Sequence, residues 1–442
     1  MEQEKNERWG YEVDLALSDM HASLDSPTTE SMNFLNEIGN VYPDAISFAA
    51  GQPFEGFFDL DAVHHYLDAF RAHLAEERGQ SGEQVRRTLL QYGSARGIVN
   101  DLICRNLETD EGIRVDPRAV VVTSGCQEAL FLVLRALRGG PSDVVLAVRP
   151  NYSGLDAAAR LVEMGVHPVR EPASGIDGES LTEAAEQARR EGLNPRACYV
   201  IPDFANPTGR SLSVAARRSL LESAEKQGIL LIEDNPYGIF GPEESGTPTL
   251  KSLDASRSVV YLGSFAKSGI PGARVGYVVA DQRVSAHESS DTLFADHLAK
   301  AKGMLNINTS PITQAVMGGK LIMNGFSLRS ANTRERNVYQ GNLSRLLQEM
   351  SRRFPEGEGH GVSWNTPSGG FFLTLKVPFP ASDEALGVCA RKHGVLWTPM
   401  HHFHGDGIPR NEIRLSFSHL TQDRIALGVE RFASFVTDHA GS

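Results

Sequence analysis

The chain has 442 residues, more than one simple core accommodates, so two domains are expected. Apolar content of 41% and charged content of 22% are those of a soluble globular protein. The net charge of −12, from 43 basic and 55 acidic residues, argues against a nucleic-acid partner, and no apolar run reaches membrane-spanning length. The first eight residues are charged and lack the apolar core of a signal peptide. Four scattered cysteines (Cys104, Cys126, Cys198, Cys389) show neither metal spacing nor disulfide density. A cytoplasmic, reduced protein with no membrane contact is the expectation.

Residues 1 to about 20 are polar and expected to be loose. Residues 26–30 carry helix-start signals, and Met32 to Ile38 reads as a short amphipathic helix. A brief strand, Ala45 to Ala50, ends at Gly51, and Leu60 to Arg78 has helical periodicity. An alternating pattern then follows. Strands are expected at Ala119–Thr123, Val144–Val148, Ala197–Ile201, Ile229–Glu233, Val259–Leu262 and Val275–Ala280. Helices are expected at Ile98–Asn106, Gln127–Leu137, Asn151–Glu163 and Ser213–Gln227. Continuous apolar strands between helices indicate a mostly parallel sheet covered on both faces. From about residue 281 the chain turns helical: Val284–Lys302, Pro311–Met323 and a long helix Ser327–Arg353. A second α/β pattern closes it, with strands at Gly369–Leu375, Val395–Thr398 and Glu412–Phe417 and helices at Ser382–His393 and Thr421–Phe435.

The stretch Ser264–Arg274 sets a serine, a lone lysine (Lys267), a Pro-Gly turn and an arginine between two buried strands. Desolvation on such a loop disfavours the ammonium and makes the amine nucleophilic. Ser264 and Arg274 could grip one phosphate. A reactive lysine beside a phosphate grip suggests pyridoxal phosphate held as a Schiff base. The plainer alternative is a surface lysine in a strand-turn-strand unit.

Other candidates stand at strand ends, where ligands of such sheets sit. Asp234 could pair with a protonated ring nitrogen, or cap a loop. Asn206 and Tyr237 could meet a ring oxygen, or serve as a turn device and as packing. Ser124, Gly125 and Cys126 open a helix whose amides and dipole favour an anion, a common feature of α/β loops. Tyr152 could stack on a flat ring, or be core. Arg414, inside an apolar strand, needs an anion; a substrate carboxylate or a structural salt bridge would serve. The loop Met400–His404 carries three histidines, but no acidic partner or helical spacing is evident, so it reads as a substrate loop or surface loop, with no metal expected.

Together these motifs resemble the class I/II aminotransferases of fold type I, which use pyridoxal phosphate. The likeness runs from about Ala45 to Phe417 and rests on Gln91-Tyr-Gly, Thr123-Ser-Gly-Cys-Gln, Asn206-Pro-Thr-Gly, Asp234-Asn-Pro-Tyr237, Ser264–Arg274, Gly369-Gly-Phe-Phe and Ile413-Arg-Leu-Ser-Phe. The resemblance implies Lys267 as the Schiff-base lysine, Asp234 at the pyridine nitrogen, and Asn206 and Tyr237 at the ring oxygen. Gly125, Cys126, Ser264 and Arg274, with Ser124 beside them, would hold the phosphate. Tyr152 would stack on the ring. Arg414, Asn206 and Gly51 would meet the substrate. Tyr92 would reach the phosphate of a neighbouring subunit, which implies a homodimer with shared sites.

The implied fold is a three-layer α/β sandwich with a mostly parallel central sheet and a smaller α/β C-terminal domain. The expected division is an N-terminal arm to residue 45, a large domain over 46–325 and a small one over 326–442. The segments Met32–Glu37, Ser47–Pro53 and Cys198–Pro207 look most like the arylglycine branch, which makes hydroxyphenylglycine or dihydroxyphenylglycine for nonribosomal peptide antibiotics. The alternatives are a general aromatic or 2-aminoadipate aminotransferase, and a lyase or oxidase using the same cofactor. Arg149 departs from the pattern, since relatives often carry an acid there.

Overall fold

The computed structural model describes residues 15–24, 31, 34, 37–172, 175–242, 246–285, 292–355 and 360–440. Its apolar runs form one seven-stranded sheet: Val120–Thr123 (β1), Asp143–Val148 (β2), Gly165–Val169 (β3), Asn194–Val200 (β4), Leu230–Asp234 (β5), Val259–Ser264 (β6) and Gly276–Val279 (β7). The order is β1-β7-β6-β5-β4-β2-β3, with β7 antiparallel to both neighbours and the remaining pairs parallel. Successive side chains point to opposite faces. Val121, Val145, Ile232 and Val260 pack with helices Cys126–Leu137, Ser153–Leu161 and Phe294–Asn306. On the other face, Val120, Val122 and Tyr261 meet helices Asn100–Glu111 and Pro311–Met323, while Val144, Leu146 and Leu231 meet helices Gly178–Arg190 and Val214–Gln227. Each fully buried aliphatic side chain contributes about 1.5–3 kcal/mol, and burial on both faces is why the strands read as unbroken apolar runs.

A second sheet, antiparallel, joins Ser363–Trp364, Phe372–Ala381, Arg410–Ser416 and Thr398–Pro399 in that order. Helices Thr333–Arg353, Asp383–His393 and Gln422–Ala440 belong to the same part of the chain. The segment Ile46–Ser47 pairs in parallel with Val395–Leu396, and Ile46 and Phe48 are buried with this second core.

Several elements depart from expectation for local reasons. The helix expected over 284–302 starts at Phe294, after a two-residue antiparallel pair, Arg283–Val284 with Thr292–Leu293. Asp296 accepts the Leu293 N–H at 2.8 Å and fixes that start. The long helix expected from Ser327 is broken at Asn332, whose amide donates to the Leu328 and Ser268 carbonyls, both at 2.8 Å. Ile98, expected to be helical, is held out by Gln314, which accepts its N–H at 2.8 Å; the helix begins at Asn100. The strand expected over 395–398 serves two sheets, with Trp397 fully buried between its halves. The edge strand β3, with a proline and half-exposed residues, and the helices Gly82–Leu90 and Gly178–Arg190 have no counterpart in the expectation.

The helix-start signals at 26–30 lie outside the described residues. Of the helix expected over 32–38, the described positions 34, 37 and 38 are helical. Residues 17–24, expected to be partly loose, form two short 3-10 turns, and His21 bonds Glu163 at 2.9 Å.

Candidate active site

The carboxyl ends of β4, β5 and β6 converge on a cavity of about 520 Å³, lined from the other side by Gly51, Phe372, Phe403 and Arg414. Lys267 lies in it. The lysine sits on a single helical turn, Phe265–Ser268, where an open loop was expected. Its ammonium donates to the Gly51 carbonyl at 2.7 Å. Burial pushes the amine down to about 8, with Arg414 and Arg274 adding to the shift and Asp234 opposing it. A side chain at Gly51 would meet the Phe372 ring, 2.5 Å from where its Cβ would lie, so the absence of one lets this backbone approach.

Asp234 ends β5, and the residue is 5% exposed. The Tyr199 hydroxyl donates to it at 2.5 Å and the Cys126 thiol at 3.4 Å. Burial raises its pKa; those two donors and Lys267 oppose the rise. Tyr199 is a site residue that sequence reasoning missed. It lies inside the apolar β4 run and looks like core. The available signal was its hydroxyl, which in a buried strand needs a polar partner.

Gly125 and Cys126 open the twelve-residue helix Cys126–Leu137. Gly125 has φ +86°, and a Cβ there would stand 2.5 Å from the Arg274 guanidinium. The space between helix end and arginine is thus a cradle that a side chain would fill. Ser264 and Arg274 line the same cavity. Ser124 is not among its lining residues. Its amide donates to Glu128 at 2.6 Å, and its hydroxyl takes the Asn306 amide at 3.3 Å.

Asn206, Tyr237 and Tyr152 line the cavity as well. The Asn206 carbonyl oxygen takes Arg414 at 2.8 Å, which leaves its amide free to donate. Tyr237 is wedged against Phe371 and Phe372, with ring centroids 5.2 and 5.6 Å away. Burial holds Tyr237 and Tyr152 as neutral phenols, well above the usual range.

Arg414 is 4% exposed, and among the described residues no carboxylate pairs with it. It donates to Asn206, to the Ala49 carbonyl and to Thr398, lies 4.3 Å over the Phe372 ring and 4.8 Å over that of Phe403, and leaves its Nε unpartnered. A buried cation with a spare donor is suited to an anion from outside the chain. Tyr92 does not enter this cavity. It is 76% exposed and borders a separate groove with Gln84 and Arg87.

Arg149, the departure noted above, is held by Asp156 in a two-pronged bridge at 2.6 and 2.7 Å. The neighbouring Asn151 backbone N–H donates to the Phe403 carbonyl at 2.9 Å, which ties this turn to the 400–404 segment. That segment is a buried 3-10 turn, with Phe403 in the cavity wall. The expectation that its histidines have no acidic partner is corrected: His402 and His401 face Asp383 at 2.8 and 3.4 Å.

The donor set suits pyridoxal phosphate: an anion cradle at a helix start, a buried carboxylate for a ring nitrogen, an amide and a phenol for a ring oxygen, and a lowered lysine. The sequence profile of the family "Aminotransferase class I and II" matches residues 56–432, and the chain belongs to this family. It is a pyridoxal-phosphate-dependent aminotransferase of fold type I.

Among its relatives is the (S)-3,5-dihydroxyphenylglycine transaminase of Amycolatopsis orientalis. The two are 52% identical over 429 residues, 97% of this chain and 96% of that one. The 2-aminoadipate transaminase of Thermus thermophilus is 31% identical, over 88% of this chain and 89% of its own length. Among solved structures, the α-aminoadipate aminotransferase of Thermus thermophilus, complexed with N-(5'-phosphopyridoxyl)-L-leucine, superposes with a TM-score of 0.76 at 28% identity. That match covers 96% of this chain and 99% of the other.

Proposed function

We propose that the enzyme moves an amino group between an arylglycine-type amino acid and a 2-oxo acid, in the direction arylglyoxylate to arylglycine. The observation that carries this reading is the 52% identity to the dihydroxyphenylglycine transaminase over nearly the full length of both chains. Aromatic and aminoadipate aminotransferases, which the sequence left open, are more distant at 25% and 31%.

Lys267, near 8, would hold the cofactor and then be freed by the incoming amine. Bound pyridoxal phosphate supplies an electron sink for the pair released when the Cα–H bond breaks. Asp234 would keep a proton on the ring nitrogen. Lys267 would take the Cα proton and return it one atom away, as base and then acid. Arg414 would grip the substrate carboxylate from the cavity wall and so aim the Cα–H bond at Lys267. Gly125, Cys126, Ser264 and Arg274 would hold the phosphate, and Tyr152 would cover the ring. The reading includes a cytoplasmic homodimer with Tyr92 lent to the neighbouring site. It also includes a cofactor-holding domain over 46–325 and a smaller one over 326–442, to which the strand at Ile46–Ser47 contributes pairing.

The test loads the enzyme with the amino form of the cofactor. It then mixes the enzyme with arylglyoxylates, phenylpyruvate and 2-oxoglutarate and follows return of the starting absorbance. Hydroxylated arylglyoxylates are expected to react at least as fast as any other. An enzyme that ignores them and turns over phenylpyruvate or 2-oxoadipate alone sinks the arylglycine assignment in favour of the broader aromatic or aminoadipate one.

A further inference from the structure

Asp383, His401 and His402 form a cluster that the transamination chemistry does not use. Asp383 opens the helix Asp383–His393, and the two histidines sit side by side on the 3-10 turn Met400–Phe403. One ligand atom from each lies within 4.8 Å of the other two. A single carboxylate oxygen, Asp383 Oδ1, faces both ring Nε2 atoms, at 2.8 Å from His402 and 3.4 Å from His401. Both histidines are 6% exposed, whereas the Asp383 side chain is half exposed.

We propose that this cluster is a binding site for a first-row transition cation of the zinc type. Zinc holds imidazole nitrogens and carboxylate oxygens at about 2.0–2.2 Å, so neighbouring ligand atoms of a tetrahedral site stand roughly 3.4 Å apart. The two distances to Oδ1 are close to that spacing, and small shifts bring both onto it. Two imidazoles and one carboxylate provide three ligands. The exposed side of Asp383 leaves the fourth position open to water. The donor set of two nitrogens and one oxygen suits zinc, nickel or copper and disfavours magnesium and calcium, which want oxygen.

The outer contacts point the same way. The other nitrogen of His402, Nδ1, lies 2.8 Å from the Ser31 hydroxyl, which orients the ring as partners of metal-bound imidazoles do. Phe34 stacks on that ring with centroids 4.5 Å apart. His401 Nδ1 has no partner among the described residues whether or not a cation is present, so it favours neither state. A cation here would tie Ser31 and Phe34, the helix start at Asp383 and the turn carrying Phe403 into one unit. Phe403 lies under Arg414 in the active-site wall. The site would therefore brace the substrate-carboxylate end of the cavity from behind.

The test uses tag-free holoenzyme in equilibrium dialysis against zinc, with metal content read by mass spectrometry and cobalt(II) as a spectroscopic probe. One equivalent of zinc per chain is expected, with cobalt giving the intense visible bands of a low-coordinate site. Magnesium in excess should not displace either metal. Asp383→Asn and His402→Gln should each weaken retention at least tenfold, while Asp383→Glu keeps it. Unchanged circular dichroism and cofactor absorbance show that each variant is folded. A wild-type enzyme that retains no zinc overturns the site, as does equal retention by wild type and a folded Asp383→Asn, which would place the metal elsewhere on the chain.

Discussion

Burial moves two groups of this molecule towards neutrality from opposite sides. It drives the Lys267 ammonium down to about 8 and the Glu111 carboxyl up to about 7. Replacing Lys267 with alanine should abolish the visible absorbance of the lysine-linked cofactor in purified protein. A variant that keeps that band would remove Lys267 from its role. Glu111 lies one residue from the site, through Asn235. The Tyr261 hydroxyl donates to its two oxygens at 2.9 and 2.8 Å, and Asn235 donates at 3.4 Å.

Because the Glu111 pKa is raised on folding, the folded chain binds more protons than the unfolded one between about pH 4.5 and 7. Stability from this group is therefore present below that window and is lost as pH rises through it. Glu111→Gln removes the dependence. Relative to the wild type, its melting temperature should be more favourable at pH 8 than at pH 5, by up to about 3 kcal/mol in stability. A difference that does not change with pH refutes the argument. Neither Glu111 nor Tyr199 was legible in the sequence. Tyr199 lies inside an ordinary strand pattern and Glu111 at the last position of a helix, beyond the expected Ile98–Asn106, and only the fold shows which acid each tyrosine meets. Asp234 and Arg414 were legible as cavity candidates because they end or interrupt apolar runs, and Lys267 and Asn206 because they stand in the turns that follow such runs.

At the scale of elements, the start of helix Cys126–Leu137 is the proposed phosphate seat. Its free amides and dipole favour an anion, and Gly125 keeps the approach open. Gly125→Ala strains a backbone at φ +86° and sets a methyl 2.5 Å from the Arg274 guanidinium. Its helix continues from β1 and is otherwise untouched. Expected is a folded protein whose affinity for pyridoxal phosphate falls at least tenfold, read by titrating the apoenzyme. Equal affinity would show that the phosphate is held elsewhere. The same scale explains what the sequence left hidden. Long apolar strands announce themselves, and six of the seven were readable. The edge strand β3 is half exposed and carries Pro168, so it lacks that signal. The break at Asn332 depends on a carbonyl 64 residues away, at Ser268, which no local pattern encodes.

At the scale of the whole molecule, one chain leaves Tyr92 on its surface, 76% exposed and away from the cavity, although the resemblance implied a place for it at a phosphate. A homodimer resolves this if each Tyr92 serves the other subunit's phosphate cradle, and mixing two crippled variants tests it. Tyr92→Ala and Lys267→Ala each weaken or abolish both sites of their own homodimer. In a mixed dimer both lesions fall on one site, and the other has an intact Lys267 from one chain and an intact Tyr92 from its partner. After unfolding and refolding together at equal amounts, half the dimers are mixed and each has one working site, so activity should rise to roughly a quarter of wild type in a two-fold symmetric dimer. If Tyr92 acts within its own chain, every site in the mixed dimer carries one lesion and mixing adds nothing to the Tyr92→Ala activity. The comparison separates shared from private sites without a measurement of oligomer size, because only exchange of a side chain across the symmetry axis can rebuild a complete site from two damaged chains.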